Sequence, residues 1–257
     1  MLDTETAPQA PVTTKAPPLP GRLVVLIPAY NEEERIAQVI GDIKGELPGV
    51  DVLVIDDGSG DATAERARGA GAIVLSLPLN LGYGAALQTG YKYALRHGYD
   101  AIAQMDGDGQ HEAAYLHTLL EGLQDPDVHV VLGSRFLDGD GHYRPSAARK
   151  VGMSLFGRIA SLLTRQRVTD PTSGFQVMRI DVVRFFCTSV YPTDYPDADI
   201  LILLHRSGFR VREVGVRMLP PPGKSMHSGH RSLYYVYKMS LSILVTMLAR
   251  GTGKRRP

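Results

Sequence analysis

The sequence predicts an α/β fold in which helices flank a mostly parallel sheet, and three observations predict it. From Leu23 to Gly133, short apolar runs alternate with segments of helical periodicity. Two of those runs, Leu23–Ile27 and Val50–Ile55, are nearly continuous in Val, Leu and Ile, as strands covered on both faces require. The polar, glycine-containing turns follow the strands. Such alternation makes a parallel sheet, and in an open sheet of this kind the carboxyl edge is where ligands bind.

Leu23–Ile27 is the first strand, expected to end at Pro28. Asn31 is expected to cap the next helix, where Ile36, Val39, Ile40 and Ile43 share one face and Glu32, Glu33 and Glu34 favour the positive helix end. Val50–Ile55 is the second strand, closed by Asp56-Asp57-Gly58-Ser59. Asp61–Arg68 reads as a helix, Ala72–Leu77 as the third strand and Gly84–His97 as a helix. Ala101–Met105 is the fourth strand, ending at Asp106-Gly107-Asp108. A helix over Glu112–Leu123 and a fifth strand over Val128–Gly133 complete the regular part. Beyond Leu137 the pattern changes. Arg149–Thr164 and Ile200–Arg206 read as helices, Arg210–Val216 as a strand, and Ser232–Ala249 as a strongly apolar helix.

The 257 residues hold one cysteine, Cys187, which excludes an internal disulfide, and no Cys/His cluster has zinc spacing. Residues 1–21 carry five prolines, four threonines and no apolar run, the composition of a disordered leader. They lack the features of a secretory signal, so a cytosolic protein is expected. Residues 22–231 form the expected globular domain, and 232–257 an apolar helix with a basic tail. The net charge of +1 gives no reason to expect nucleic acid, but it is unevenly divided. From Arg210 onward ten Lys/Arg face the single acid Glu213, a local +9, which leaves −8 for residues 1–209.

Asp106-Gly107-Asp108-Gly109-Gln110 puts two carboxylates and an amide oxygen on one turn, the donor type that hard cations such as Mg²⁺ or Mn²⁺ take alongside phosphate oxygens. Glycines 107 and 109 are expected to let that backbone bend. At Asp56 or Asp57 a carboxylate can accept a base imide N–H or a ribose hydroxyl, while Asp61 is placed to cap the next helix. His111 can bond phosphate or cap the helix after it.

Together Pro28-Ala29-Tyr30-Asn31-Glu32, Asp56-Asp57-Gly58-Ser59, Asn80-Leu81-Gly82-Tyr83-Gly84-Ala85-Ala86, Asp106 to His111, Gly133-Ser134-Arg135, Asp170 to Phe175 and Gly223-Lys224-Ser225 carry a resemblance. The sequence resembles family 2 glycosyltransferases of the GT-A fold, a Rossmann-like architecture, and within them the dolichol-phosphate mannose synthase-like branch that glycosylates polyprenyl phosphates. The likeness spans roughly Leu23 to Lys224. It implies that Pro28, Ala29, Tyr30, Asn31, Glu32, Asp56, Asp57, Gly84, Met105, Asp106 and Gly107 line the nucleotide-sugar pocket, with Lys224 closing over it. It implies a divalent cation, Mg²⁺ or Mn²⁺, on Asp106, Asp108 and Gln110. Arg135 would position phosphate near the acceptor; Asp170, and after it Asp199, are candidates for a base or for orienting the acceptor. Two departures from that branch are Tyr83, where a lysine is common, and the aspartates of Tyr195-Pro196-Asp197-Ala198-Asp199, where a glutamate is common.

The function expected is inverting transfer of a sugar from a UDP or GDP donor to a polyprenyl phosphate. A soluble phosphorylated acceptor is the rival. A sugar nucleotidyltransferase would favour a basic Gly-rich loop after the first strand, where the sequence instead has Asn31-Glu32. A non-catalytic nucleotide-binding module would not need both Asp106 and Asp108. Around the last helix, Tyr234, Tyr235 and Tyr237 with Arg250, Lys254, Arg255 and Arg256 fit an interfacial segment on an anionic membrane. Lys238 interrupts it, so it is not expected to span. A core helix or a homodimer helix is the other reading. The enzyme is thus expected at the inner face of the cell membrane, bound peripherally.

Overall fold

β1 (Leu23–Ala29) lies near the middle of the sheet because its residues are apolar on both faces, and all seven are buried. The computed structural model describes residues 21–137, 147–164, 166–188 and 198–219. Residues 1–20 of the expected leader, Lys224 and the helix and tail over 232–257 lie outside the described residues. The elements after β1 are α1 (Ile36–Glu46), β2 (Asp51–Asp56), α2 (Thr63–Gly69), β3 (Ile73–Ser76), α3 (Tyr83–Arg96), β4 (Ala101–Gln104), α4 (Tyr115–Gly122) and β5 (Val130–Ser134). They continue with α5 (Ala147–Thr164), β6 (Gln176–Arg179), α6 (Ile180–Phe186), α7 (Ala198–Arg206) and β7 (Val211–Gly215).

The seven strands form one sheet in the order β3-β2-β1-β4-β6-β5-β7. Every pairing is parallel except those of β6, which runs antiparallel to both β4 and β5. One core packs α1 and α4 on one face of the sheet; the other packs α3, α6 and α7 on the opposite face. Ile36, Val39, Ile40 and Ile43, the apolar stripe read from the sequence, are the buried residues of α1.

Three local expectations are corrected. β1 does not stop at Pro28 but continues to Ala29. Leu26 C=O accepts from Met105 and Ala29 C=O from Asp57, so polar groups alternate sides and the Pro28 nitrogen faces the β4 side. Pairing with β4 ends at Leu26↔Gln104, so the missing N–H costs no ladder bond. Asn31 does not cap α1, which begins at Ile36 after Arg35 with no side-chain cap. His111 does not cap α4, which begins at Tyr115 after Ala114.

β6 and α6 were not legible as periodic segments. β6 is four residues, Gln-Val-Met-Arg, too short and too polar at its ends to register as an apolar run.

Candidate active site

Strand order reverses beside β1: β2 and β3 lie on one side of it and β4 on the other. That arrangement opens a crevice at the carboxyl edge, and the turns leaving β1, β2 and β4 meet there. On the β1–β2 side, Asn31 sits at φ 55° and its side-chain oxygen accepts the Gly60 N–H (2.9 Å), while its own N–H donates to Ser59 Oγ (3.0 Å). Glu32 N–H donates to Thr63 Oγ1 (2.8 Å). Asp61 accepts the Thr63 N–H (3.0 Å) but is not the cap of α2, which begins after Ala62 with no side-chain cap.

Asp56 accepts the Ser59 N–H (3.0 Å). Asp57 accepts from Leu81 (2.8 Å) and Gly82 (2.9 Å), one bond to each carboxylate oxygen, so it fixes the Asn80–Gly84 turn against β2. Tyr30 and Asn31 are exposed at the rim; Pro28, Ala29, Gly84 and Met105 are buried beneath it, with Gly107 on the turn above.

The Asp106–Gln110 turn leaves the end of β4. Asp106 N–H donates to His111 Nδ1 (3.2 Å), and Asp106 Oδ1 accepts the Tyr83 hydroxyl (2.9 Å). Asp108 accepts the Gln110 N–H (2.9 Å) and also the Gln110 side-chain amide. Of the two glycines, Gly109 takes a positive φ of 74° and so supplies the bend; Gly107 does not.

Among the described residues no three His, Cys, Asp or Glu side chains form a closed metal cage. Two carboxylates on one turn instead suit a cation that keeps places for ligand oxygens. Burial pushes the Asp106 carboxyl upward, while the Tyr83 hydrogen bond and the nearby Arg135 cation pull it down. A carboxylate held in this recess gains from a cation beside it.

Across the site, Arg135 follows β5 and makes a two-pronged ion pair with Asp170, Nε to Oδ2 and Nη2 to Oδ1, both 2.6 Å. The Arg135 side chain is 5% exposed and Asp170 0%. Arg135 N–H also donates to Asp170 (3.1 Å), and Nη2 to Thr172 Oγ1 (2.8 Å). Glu213, on β7, accepts the backbone N–H groups of Thr169 (2.9 Å) and Asp170 (3.0 Å) and holds this loop in place.

His111 is buried with its ring stacked on Phe175, centroids 4.8 Å apart. Its Nε2 has no hydrogen-bond partner among the described residues and lies 3.8 Å from Asp106 Oδ2. Asp199 is buried in the first turn of α7, where it accepts the Ile200 N–H (3.0 Å). Tyr83, Thr172 and Glu213 were not singled out as site residues from the sequence. The one signal for Glu213 was its being the lone acid of a basic stretch.

Two outcomes follow from the buried charges. Asp170→Ala leaves the Arg135 guanidinium buried without its carboxylate, and should lower the unfolding free energy by about 3–5 kcal/mol in urea titration. Burial lowers the His111 pKa from 6.5 to about 4. Between those values the unfolded chain holds more protons at this position, so its contribution to stability is intact above pH 6.5 and is lost as pH falls. His111→Gln should flatten that segment of the stability profile, read by urea unfolding at pH 7, 6 and 5.

The family model for glycosyl transferase family 2 matches residues 24–186. The undecaprenyl-phosphate mannosyltransferase of Micrococcus luteus is 34% identical over 171 residues, covering 63% of this chain and 68% of that protein. The polyprenol monophosphomannose synthase of Mycolicibacterium smegmatis is 32% identical over 169 residues, 63% of each. Among solved structures, mannosyl-3-phosphoglycerate synthase from Rubrobacter xylanophilus superposes with a TM-score of 0.65 at 21% identity, covering 91% of this chain and 77% of that one. Glucosyl-3-phosphoglycerate synthase from Mycobacterium tuberculosis, in complex with Mn²⁺, UDP and phosphoglyceric acid, gives 0.63 at 22% identity, covering 92% of this chain and 80% of that one. The shared architecture is the GT-A fold, and with the family match covering most of its length, this chain belongs to glycosyltransferase family 2.

Proposed function

We propose that this glycosyltransferase moves a sugar from a nucleoside diphosphate donor to a polyprenyl phosphate, with inversion at the anomeric carbon, working at the inner membrane surface. The observation that carries the reading is the pairing of an acidic turn, Asp106–Asp108, with a buried arginine, Arg135, in one crevice. The nucleotide lies along Pro28–Glu32 and Asp56–Asp57. Asp106 and Asp108, with Gln110 bonded to Asp108, hold the divalent cation. Bound there, Mg²⁺ or Mn²⁺ offsets the charge that develops on the departing diphosphate.

Arg135 orients the acceptor phosphate, and Asp170 acts through it. Both Asp170 oxygens accept from Arg135, so its role is to aim and brace the guanidinium. A phosphate monoester is already anionic near neutral pH, so attack does not call for a strong base. Asp199, in the first turn of α7, is the second candidate for orienting the acceptor.

The lipid acceptor is supported by the two mannosyltransferase relatives, whose names specify undecaprenyl phosphate and polyprenol monophosphomannose. It is supported also by the basic, tyrosine-flanked apolar stretch after Arg231. Among the described residues no helix is long and apolar enough to cross a membrane. The fold shared with phosphoglycerate glycosyltransferases favours a second reading, a soluble phosphorylated acceptor.

A panel of UDP- and GDP-sugars assayed with Mg²⁺ or Mn²⁺, with and without polyprenyl phosphate, separates the two. Cation-dependent transfer stimulated by the lipid is expected. No lipid stimulation with any donor overturns the polyprenyl reading, and transfer to 3-phosphoglycerate without lipid establishes the second. Asp108→Ala should lower cation-dependent turnover by at least about a hundredfold, on the scale of losing one stabilising group in the transition state. Its thermal melt should match the wild type.

A further inference from the structure

The Asp106 carboxylate is reached by a chain of hydrogen bonds that begins inside the sheet. Gln104 is buried in β4, and its side-chain oxygen accepts from the Tyr91 hydroxyl (2.6 Å) and from Gln176 of β6 (3.1 Å). With its oxygen facing two donors, the Gln104 amide turns its NH₂ toward Tyr83 and donates to that hydroxyl (3.2 Å). The Tyr83 hydroxyl carries one proton, and it points at Asp106 Oδ1 (2.9 Å). The chain therefore has a single polarity, from Gln176 through Gln104 and Tyr83 to Asp106. Asp106 Oδ2 takes no hydrogen bond among the described residues, and His111 Nε2 lies 3.8 Å from it.

Gly174 seals the contact from the other side. A Cβ at that position would lie 2.8 Å from the Tyr83 hydroxyl and 3.0 Å from Asp106 Oδ2. The loop can approach this closely because residue 174 has no side chain. A buried glutamine in a central strand costs desolvation unless all its groups are bonded. Here that requirement fixes the direction of the hydroxyl as well.

We propose that Tyr83 is a positioning residue for the cation-binding turn. It pins Oδ1 of Asp106 and so fixes the plane of the carboxylate, leaving Oδ2 as the oxygen that meets the metal. The inference rests on the divalent-cation reading of Asp106 and Asp108. Preorganising a ligand oxygen through a hydrogen bond to its neighbour commonly shifts metal affinity by about 10- to 100-fold.

The test titrates the full chain with MnCl₂ in the presence of UDP or GDP, reading free Mn²⁺ by electron paramagnetic resonance. Tyr83→Phe keeps the ring and removes the hydroxyl. The apparent Mn²⁺ Kd should rise about tenfold. Affinity for the same nucleotide in EDTA, measured by calorimetry, should change less than about twofold, because a hydrogen bond confined to Asp106 leaves the nucleotide loops in place. Equal Mn²⁺ affinity in Tyr83→Phe and wild type overturns the proposal and leaves the cation reading standing. A wild-type chain that binds no Mn²⁺ overturns both. Should Tyr83→Phe lose its cooperative melt, Gly174→Ala presses a methyl group onto the same hydroxyl. Its Mn²⁺ Kd is expected to rise too, and an unchanged value there is equally fatal.

Discussion

Parallel strands present their carboxyl ends at the same edge of a sheet, and the whole candidate site hangs from that constraint. β2, β1 and β4 are neighbours with one direction, so Asp56, Asn31 and Asp106 emerge side by side although the chain separates them widely. The apolar faces of these strands keep the edge rigid: β1 is buried along its length, between α1 on one face and α3 on the other. Polar turns on such a frame can hold charges that a mobile loop could not keep in register.

β6 supplies what the parallel strands cannot. Because it runs against β4, with Gln104 opposite Gln176, its amino-terminal end lies at the same edge where β4 finishes. The segment from Asp170 to Phe175 is thereby delivered onto the acidic turn. Phe175 stacks on His111, Gly174 closes on Tyr83 and Asp106, and Asp170 meets Arg135 leaving β5. Removing the Arg135–Asp170 pair from water is costly, and the structure offsets that cost with Thr172 and the Arg135 backbone N–H. Glu213 fixes the loop backbone that carries the aspartate.

The same packing changes the meaning of several residues. Asp57, placed along the proposed nucleotide path, also accepts one bond at each carboxylate oxygen from the glycine-rich turn before α3. Tyr83, an oddity of that turn in the sequence, passes to Asp106 a hydrogen-bond chain that starts on the neighbouring strand β6. Asn31 links the first two loops where a helix cap was expected.

Local features were legible in the sequence because their causes are local. Continuous Val/Leu/Ile runs mark strands buried on both faces, the Ile36–Ile43 spacing marks a helix face, and Asp-Gly-Asp-Gly after an apolar run marks an acidic turn at a strand end. Those alone gave the fold class and the edge carrying the site. The pairs that shape the site were not legible: Tyr83 with Asp106 spans 23 residues, Arg135 with Asp170 spans 35, and Asp170 with Glu213 spans 43. No local pattern announces them, since they form only when strand order and register are settled. The short, antiparallel β6 decides that register, because its start delivers Asp170–Phe175 beside the acidic turn that ends β4.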